Sequence, residues 1–414
     1  MIFRNIMNQV SQEQEERMWK DSSYNRITSS GESITPESAF SNVGTVFECV
    51  VIRANSIAKL PLQLFKTTKN GKIRDKNHNL WYLLEKRPNK WQTPSQFKSY
   101  IEVSRLLWGN AYIEIIFDKK SANIVALEPL NPGEVEIIEK TDGSYLYQFT
   151  KNGVFKTLSE EEIIHIPYIS IDGKIGKSPL SVARENAGNL QAINKFEGGF
   201  YKNGTMTAGV LETPSMLNTD AKNKIKSEWA SLYGGSHNAG SIAVLDAGFN
   251  YKPITIPLKD IEFIASRKMN KAEIATIFDV PLYMLNDLDN AKFNNVEQQN
   301  LRYLTDVLQP NITAIEEEFN YKLFTISESK KYYVKFNLNS AMRADSKTRS
   351  EYYKEMIGIG IMSINEARVL EELDSIGEMG DKHFISLNYT TLDTIEDHQR
   401  IVKGGDENEE QEEG

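Results

Sequence analysis

The apolar and polar positions are most strongly patterned between residues 260 and 324, where two helical stretches flank a polar break. The first runs over residues 260–278 and closes at Asp279-Val280-Pro281, because a proline drives the preceding residue out of the α region. The second places Leu301, Leu304, Leu308, Ile312, Ile315, Phe319 and Leu323 three or four residues apart, which predicts one buried face. Pro310 lies inside that stripe and cannot donate to the Asp306 carbonyl, so a kinked long helix is expected. Residues 286–295 between the two helices are polar and read as an exposed, mobile loop.

Upstream, Val46, Cys49, Val50, Arg53 and Ile57 form a helical stripe that ends near Leu60-Pro61. A strand over 62–67 then turns at Asn70-Gly71, a favoured hairpin pair. Helices over 80–85 and 95–108 lead into strands over 111–117, 124–128, 135–139, 145–150 and 163–167, so residues 45–170 read as α+β. Ser178-Pro179 opens the next helix with a serine cap and a proline in the first turn. It should reach Asn203-Gly204, where glycine accepts the left-handed closing conformation. Residues 204–257 change to strand (208–212), helix (219–233), a Gly-rich loop and strands over 241–245 and 250–255, a small α/β unit between two long helices. A strand over 332–337 should return to the first region, followed by helices over 346–357 and 363–373. Residues 1–40 are polar and offer little to bury, so they read as mobile or as an arm that orders on a partner.

The 414 residues are 40% hydrophobic, enough for a sizeable core and two or three structural units. The sequence has no apolar run long enough to span a membrane and no signal-peptide core, and the expectation is a chain kept in the cytosol. Cys49 is the only cysteine and falls in an apolar stripe, so it reads as a small buried hydrophobe rather than a disulfide partner or metal ligand. The net charge of −9 is concentrated: residues 405–414 hold six carboxylates and no base, which leaves −3 for the other 404 residues. A nearly neutral body argues against tight gripping of nucleic acid through neutralised phosphates and is compatible with DNA that slides past.

No catalytic motif stands out. The Gly176-Lys-Ser178 sequence resembles the end of a phosphate-binding loop, but position 171, where the loop needs glycine, is isoleucine, and Gly173 is too close for the amides to wrap a phosphate. His165 sits in an alternating strand and reads as a satisfied core histidine; His78, His237, His383 and His398 are scattered without metal-ligand spacing. Glu160-Glu161-Glu162 reads as a solvated turn, and Gly358-Ile-Gly360 as a linker between helices. Trp229 and Tyr233 share one face of the 219–233 helix and suit either a core or an interface anchor. No catalytic, cofactor or metal residue is expected, and the chain does not read as an enzyme.

A set of segments does carry a resemblance: Val50-Val-Ile-Arg-Ala-Asn-Ser-Ile-Ala-Lys-Leu-Pro-Leu, Arg87-Pro-Asn followed by Gln92-Thr93, Trp108-Gly-Asn-Ala-Tyr, Leu127-Glu-Pro-Leu, His165-Ile, Gly176-Lys-Ser-Pro-Leu, Asn203-Gly204, Ile274-Ala-Thr-Ile-Phe-Asp-Val-Pro281 and Asn294-Asn-Val-Glu297. In order and spacing they resemble the portal proteins of tailed bacteriophages, from about residue 46 to 324 and more weakly to 367. Single motifs are unspecific; the series is specific.

The resemblance implies an α+β portal-type fold and a ring of twelve copies at one capsid vertex, the channel through which double-stranded DNA is packaged and ejected. It divides the chain into an arm (1–44), a wing (45–177), a first stem helix (178–203), a clip (204–257), a second stem helix (258–280), a segment with channel loop, kinked helix and return strand (281–345), a helical crown (346–395) and an acidic tail (396–414). Asp287, Asp289, Asn290, Lys292 and Asn294 would approach the DNA backbone without reading bases. Trp229, Tyr233, His237 and Asn238 would face the terminase large subunit and later the head–tail adaptor, while the major capsid protein would surround the ring. No membrane and no cofactor is implied. Ala265 stands where relatives often carry an acid, which puts one inter-helix ion pair in doubt; Asn286 stands where glycine is frequent, and because asparagine tolerates the left-handed conformation the helix stop is expected to survive. The competing expectations are a virion-assembly scaffold that encloses no channel and an NTP-driven DNA-processing enzyme.

Overall fold

In a computed structural model of the chain, residues 17–19, 27–69, 71–151, 153–203, 209–214, 216–233, 245, 248–253, 263–287, 293–338, 346–371 and 373–384 are described. They fall into two units, Met1–Asn337 and Leu338–Gly414. Mixed helix and sheet make up the first, in keeping with the α+β expectation.

The first departure from the sequence reading lies in the expected arm. Strand β1 (Arg17–Trp19) is paired into a sheet, and Ile34, Ala39 and Val43 belong to the core. Helix α1 (Pro36–Asn42) starts from Thr35, whose hydroxyl accepts the Ser38 amide at 3.1 Å while Ser38 Oγ accepts the Thr35 amide at 2.8 Å. A reciprocal cap with proline in the first turn lets a short helix form without a long apolar stripe. Ile34, Ala39 and Val43 are buried against the next helix.

Helix α2 (Gly44–Ala58) buries Val46, Cys49, Val50, Ala54 and Ile57, as their spacing requires. Strands β2 (Leu62–Thr68) and β3 (Gly71–Arg74) form the predicted hairpin, and helices α3 (Asn79–Glu85) and α4 (Pro94–Trp108) follow. Strand β4 (Asn110–Phe117) is almost wholly buried between β5 (Ile124–Leu130) and β9 (Ile163–Pro167). Its Glu114 escapes the penalty for an isolated buried charge by pairing with Lys151 at 2.9 Å and Lys156 at 3.1 Å. Strands β6 (Glu136–Glu139), β7 (Tyr145–Lys151) and β8 (Val154–Ser159) complete a four-stranded sheet in the order β1-β6-β7-β8. The sequence reading passes over β8 because its Val154 and Phe155 are both exposed, so no inward alternation marks it.

Short strands β10 (Ile169–Ser170) and β11 (Gly176–Lys177) enclose the segment that resembles a phosphate loop. Its Gly176 amide donates to Asn110 Oδ1 at 2.8 Å and is therefore engaged by the protein. Helix α5 (Pro179–Asn203) is about 37 Å long and opens on buried Ser178, whose hydroxyl accepts the Ser181 amide at 2.9 Å. Beyond it come strand β12 (Gly209–Glu212), helix α6 (Thr219–Tyr233) and strand β13 (Asn250–Pro253), with β12 antiparallel to β13. The predicted strand over 241–245 falls mostly outside the described residues.

Helix α7 (Phe263–Ile277) returns antiparallel to α5: Asn186 meets Asn270 at 3.2 Å, whereas Asn194 meets Arg267 at 2.6 Å. Arg267 also pairs with Glu197 at 2.9 Å, so the two helices carry an ion pair although Ala265 supplies no acid. Helix α8 (Phe293–Arg302), a π-helical stretch over Tyr303–Leu308 and helix α9 (Gln309–Lys322) form the second patterned segment. Strand β14 (Tyr332–Phe336) then pairs with β2, as expected. The second unit contains helices α10 (Ser346–Gly358) and α11 (Ile364–Leu370), the latter capped reciprocally by Ser363 and Glu366.

Near the centre of the first unit, two glycines bring separate motifs into contact. A Cβ on Gly109 would lie 2.2 Å from the Gly176 carbonyl oxygen, and one on Gly176 would lie 2.1 Å from the Gly109 oxygen. Asn110 bridges the approach, and because its Oδ1 accepts from the Gly176 amide, His165 Nε2 must donate to that oxygen at 2.9 Å. The opposite ring nitrogen is left to accept from the Tyr147 hydroxyl at 3.3 Å. Burial, and then Lys322, push the His165 pKa down to about 3. The folded state thus holds His165 neutral while an unfolded chain protonates it below about pH 6.5. Stability from this group is complete above that pH and is lost as pH falls toward 3. Urea unfolding midpoints should fall more steeply between pH 7 and pH 4.5 in the parent than in His165→Gln; superimposable pH profiles would refute the assignment.

Candidate functional site

The polar break between α7 and α8 is built by chain-stopping geometry on its first side. Phe278 still bonds to Ile274, Asp279 takes a left-handed φ of 53°, and the Val280 amide closes back on the Ala275 carbonyl at 2.8 Å. Pro281 starts a single 3₁₀ turn over Leu282–Leu285, which ends on Asn286 at φ 58°, ψ 22°. Asparagine tolerates that left-handed conformation, so the stop survives without glycine. Lys271 Nζ donates to the Leu285 carbonyl at 3.1 Å and ties the turn back to α7.

The expected loop residues fall around this turn unevenly. Asp287 follows it, with its amide donating to the Leu282 carbonyl at 3.2 Å. Asp289, Asn290 and Lys292 lie outside the described residues. Asn294 does not lie in a loop as the sequence reading has it: α8 already begins at Phe293, so residues 293–295 belong to its first turn. The kink expected at Pro310 also takes a particular form. The Gln309 amide bonds to the Leu304 carbonyl five residues back, and the wider π turns precede the proline, which sits in the first turn of α9. The unpaired position that proline creates is absorbed by a local change of helix type.

One buried ion cluster ties the end of α7, before the break, to α9, beyond α8. From α2, Arg53 Nη1 donates to the Phe278 carbonyl at 2.9 Å and Nη2 to Glu102 Oε1 at 2.9 Å. On α4, Arg105 Nη1 reaches Glu102 Oε2 at 3.0 Å, and its Nη2 reaches Asn311 Oδ1 on α9 at 3.0 Å. Asn311 in turn donates to the Val307 carbonyl of the π stretch at 2.7 Å. The Tyr303 hydroxyl donates to Ser56 Oγ on α2 at 3.2 Å. Arg53, Glu102 and Arg105 are no more than 1% exposed. Burial opposes the charge on Arg53, but Glu102, with Tyr168 and Tyr303, more than offsets it and holds the guanidinium firmly protonated. Sequence reasoning missed this cluster. The available signals were a charged residue inside the apolar stripe of α2 and an acid and an arginine three residues apart on α4.

At the far end of the α5/α7 pair, Trp229 stacks on Tyr251 of β13 with ring centroids 5.5 Å apart and 24° between planes. The ring therefore fastens α6 to its own two-stranded sheet. Tyr233 is the last residue of α6, and His237 and Asn238 lie outside the described residues. Among the described residues no group of three or more His, Cys, Asp or Glu side chains could hold a metal ion. No helix among them is long and apolar enough to cross a membrane.

This arrangement of a mixed domain, an antiparallel helix pair and a small distal sheet has clear relatives. Residues 44–372 match the sequence model of the family described as phage portal protein. The chain belongs to that family. The portal protein of Enterobacteria phage HK97 is 27% identical over 344 residues, covering 82% of this chain and 80% of that one. A probable portal protein of Streptomyces phage phiC31 is 28% identical over 392 residues, covering 90% and 85%. In fold, the chain is similar to an HK97 family phage portal protein from Corynebacterium diphtheriae, with a TM-score of 0.55 at 15% identity over 75% of this chain and 97% of that one. It is also similar to a chain from the neck of a native gene transfer agent particle computed with C12 symmetry, with a TM-score of 0.53 at 21% identity over 82% and 94%. Phage portal proteins are structural virion components of a capsid vertex.

Within this portal-family fold, most of the motifs that carry the resemblance act as joints. Arg53 of the first motif holds Phe278 of the Ile274–Pro281 motif; Asn89 of Arg87-Pro-Asn donates to the Leu127 carbonyl of Leu127-Glu-Pro-Leu at 2.9 Å. Trp108-Gly-Asn, His165 and Gly176 meet at Asn110. Of these joints the ion cluster is the most sensitive, since removing its carboxylate leaves two guanidinium groups buried without a counter-charge. Glu102→Ala should cost about 3–5 kcal/mol, read as a drop in the urea midpoint; a loss below about 1 kcal/mol would show that water or rearrangement satisfies both arginines.

Proposed function

We propose that this portal-family chain assembles into a closed ring of twelve copies at one capsid vertex, through which double-stranded DNA is packaged and later ejected. The observation that carries this reading is the family match over residues 44–372, with 80% and 85% of two phage portal relatives covered. The particle-neck neighbour computed with C12 symmetry supports the ring and the copy number.

On this reading the mixed region is the wing, α5 and α7 are the stem, residues 204–257 the clip, residues 346–395 the crown and residues 396–414 the acidic tail. A ring needs two unlike surfaces on each subunit, and a mixed domain with a projecting helix pair offers them. The segment around Asp287, Asp289, Asn290, Lys292 and Asn294 faces the channel, held by Asn286 on one side and α8 on the other. It touches phosphates and not base edges, so DNA of any sequence can pass. The clip, through Trp229, Tyr233, His237 and Asn238, docks the terminase large subunit and then the head–tail adaptor, while the major capsid protein contacts the ring's outside. Assembly occurs in the host cytoplasm, and no cofactor or catalytic step is involved.

Negative-stain electron microscopy of the purified chain should give closed rings with a central hole in end-on views, twelve-fold in class averages. Monomers or dimers at every concentration, including after co-expression with the capsid protein, would sink the ring. A chain lacking residues 213–240 should lose capture of the terminase large subunit; retained capture would remove the clip assignment.

A further inference from the structure

The sheet β14-β2-β3 has one face turned to the core and one turned outward, and the outward face carries a chemistry that the net charge hides. Leu62, Leu64, Val334 and Phe336 are buried on the inner face. The register then fixes the outer face: Phe65 lies opposite Tyr333 and Arg74, Thr67 opposite Lys72, and Gln63 opposite Lys335. Lys331 joins them, since its carbonyl accepts the Thr67 amide at 2.8 Å. Every outward position except Phe65 carries a hydrogen-bond donor, and none carries a carboxylate.

Lys72, Lys331 and Lys335 are exposed, and among the described residues none of the three is in an ion pair; Arg74 is engaged by Glu85. Phe65 and Tyr333 stack at 5.4 Å with 15° between planes, and Lys72 Nζ lies 5.3 Å over the Tyr333 ring. The face is thus rigid at its centre and cationic around it. The outer edge of the sheet is not the binding element, because Asn320 of α9 satisfies both backbone groups of Val334, at 2.7 and 3.0 Å, and Glu316 accepts the Phe336 amide at 2.6 Å. What remains open is the face. Six of the carboxylates behind the net charge of −9 lie in residues 405–414, outside this sheet.

We propose that this face is a second, sequence-independent contact for the phosphate backbone of duplex DNA, separate from the polar segment at 286–295. Lysine, threonine, glutamine and tyrosine donors suit phosphate oxygens. The inference rests on the reading of the chain as a handler of duplex DNA.

The test is fluorescence anisotropy of a labelled random-sequence duplex with the full-length protein between 50 and 200 mM salt. Each phosphate contact contributes a log–log slope of about −0.9, so Lys331→Gln/Lys335→Gln should make the slope shallower by about 2. The matched change Lys119→Gln/Lys120→Gln, in the exposed turn after β4, should leave it unchanged. If the double variant does not fold, Lys335→Gln alone should remove about 1. Equal changes at both lysine pairs, no change at either, or displacement of the duplex by poly-glutamate at equal charge would each overturn the proposal, the last in favour of an acidic protein segment. Imaging the same preparations separates the two readings: rings retained with the slope lost support this face, whereas absent rings in the parent count against the ring and leave the slope readable.

Discussion

The buried cluster of Arg53, Glu102 and Arg105 is the interaction on which the rest of the first unit depends. Three charges with at most 1% exposure are expensive to desolvate, and a well-packed apolar trio often matches or exceeds such a cluster in stability. What an apolar trio cannot do is satisfy a carbonyl at the end of one helix and an amide side chain at the start of another. Arg53 takes the Phe278 carbonyl and Arg105 takes Asn311, so α2 and α4 determine where α7 stops and where α9 begins. The polar break between α7 and α8 lies within the stretch that these two contacts bracket, and the charges that bracket it sit 225 and 206 residues earlier in the chain. Hydrogen-bond geometry, more than burial area, specifies this register.

The same division explains what could be read in the sequence. Long helices with a wide apolar stripe announce themselves by periodicity, as α2 and α9 do; α5 announces itself by its Ser178-Pro179 opening and closing glycine, and the hairpin β2–β3 by Asn70-Gly71. Elements that are short, or held by partners far along the chain, do not. Helix α1 has only seven residues and depends on the Thr35–Ser38 cap, while β8 exposes the residues that would have marked it. Pro310 correctly signals a disturbance, but periodicity cannot say that the chain resolves it as six residues of π-helix rather than as a simple kink. The close approach of Gly109 and Gly176 was present in the sequence as two separate motifs; their meaning as one joint required the fold.

The candidate site divides along the same line. A polar break after a helix stop is visible in sequence, and Asn286 does take the left-handed conformation anticipated for it. The extent of the break is set by where α8 can start, and α8 starts soon enough to include Asn294. Trp229 could have been a core or an interface residue on periodicity alone; its stacking on Tyr251 assigns a packing role. The basic face of β14-β2-β3 was invisible because its cations come from residues 72–74 and 331–335, and only the strand register places them on one surface. Averaging charge over the chain, even after removing the acidic tail, erases a local excess of that kind.

A near-neutral body and a cationic face are compatible when the strength of the contact is considered. Three or four phosphate contacts give a salt slope of roughly −3 to −4, which means a loss on the order of a hundredfold between 50 and 200 mM. On the proposed reading such a contact would hold DNA briefly at physiological salt and release it readily. A conduit requires that behaviour at every point where its cargo touches it, since any surface that binds tightly enough to be saturated becomes a brake. On the proposed reading, a small number of exposed lysines on one sheet face would meet that requirement. A strongly basic protein would not, so a low overall charge is compatible with the proposed DNA contact.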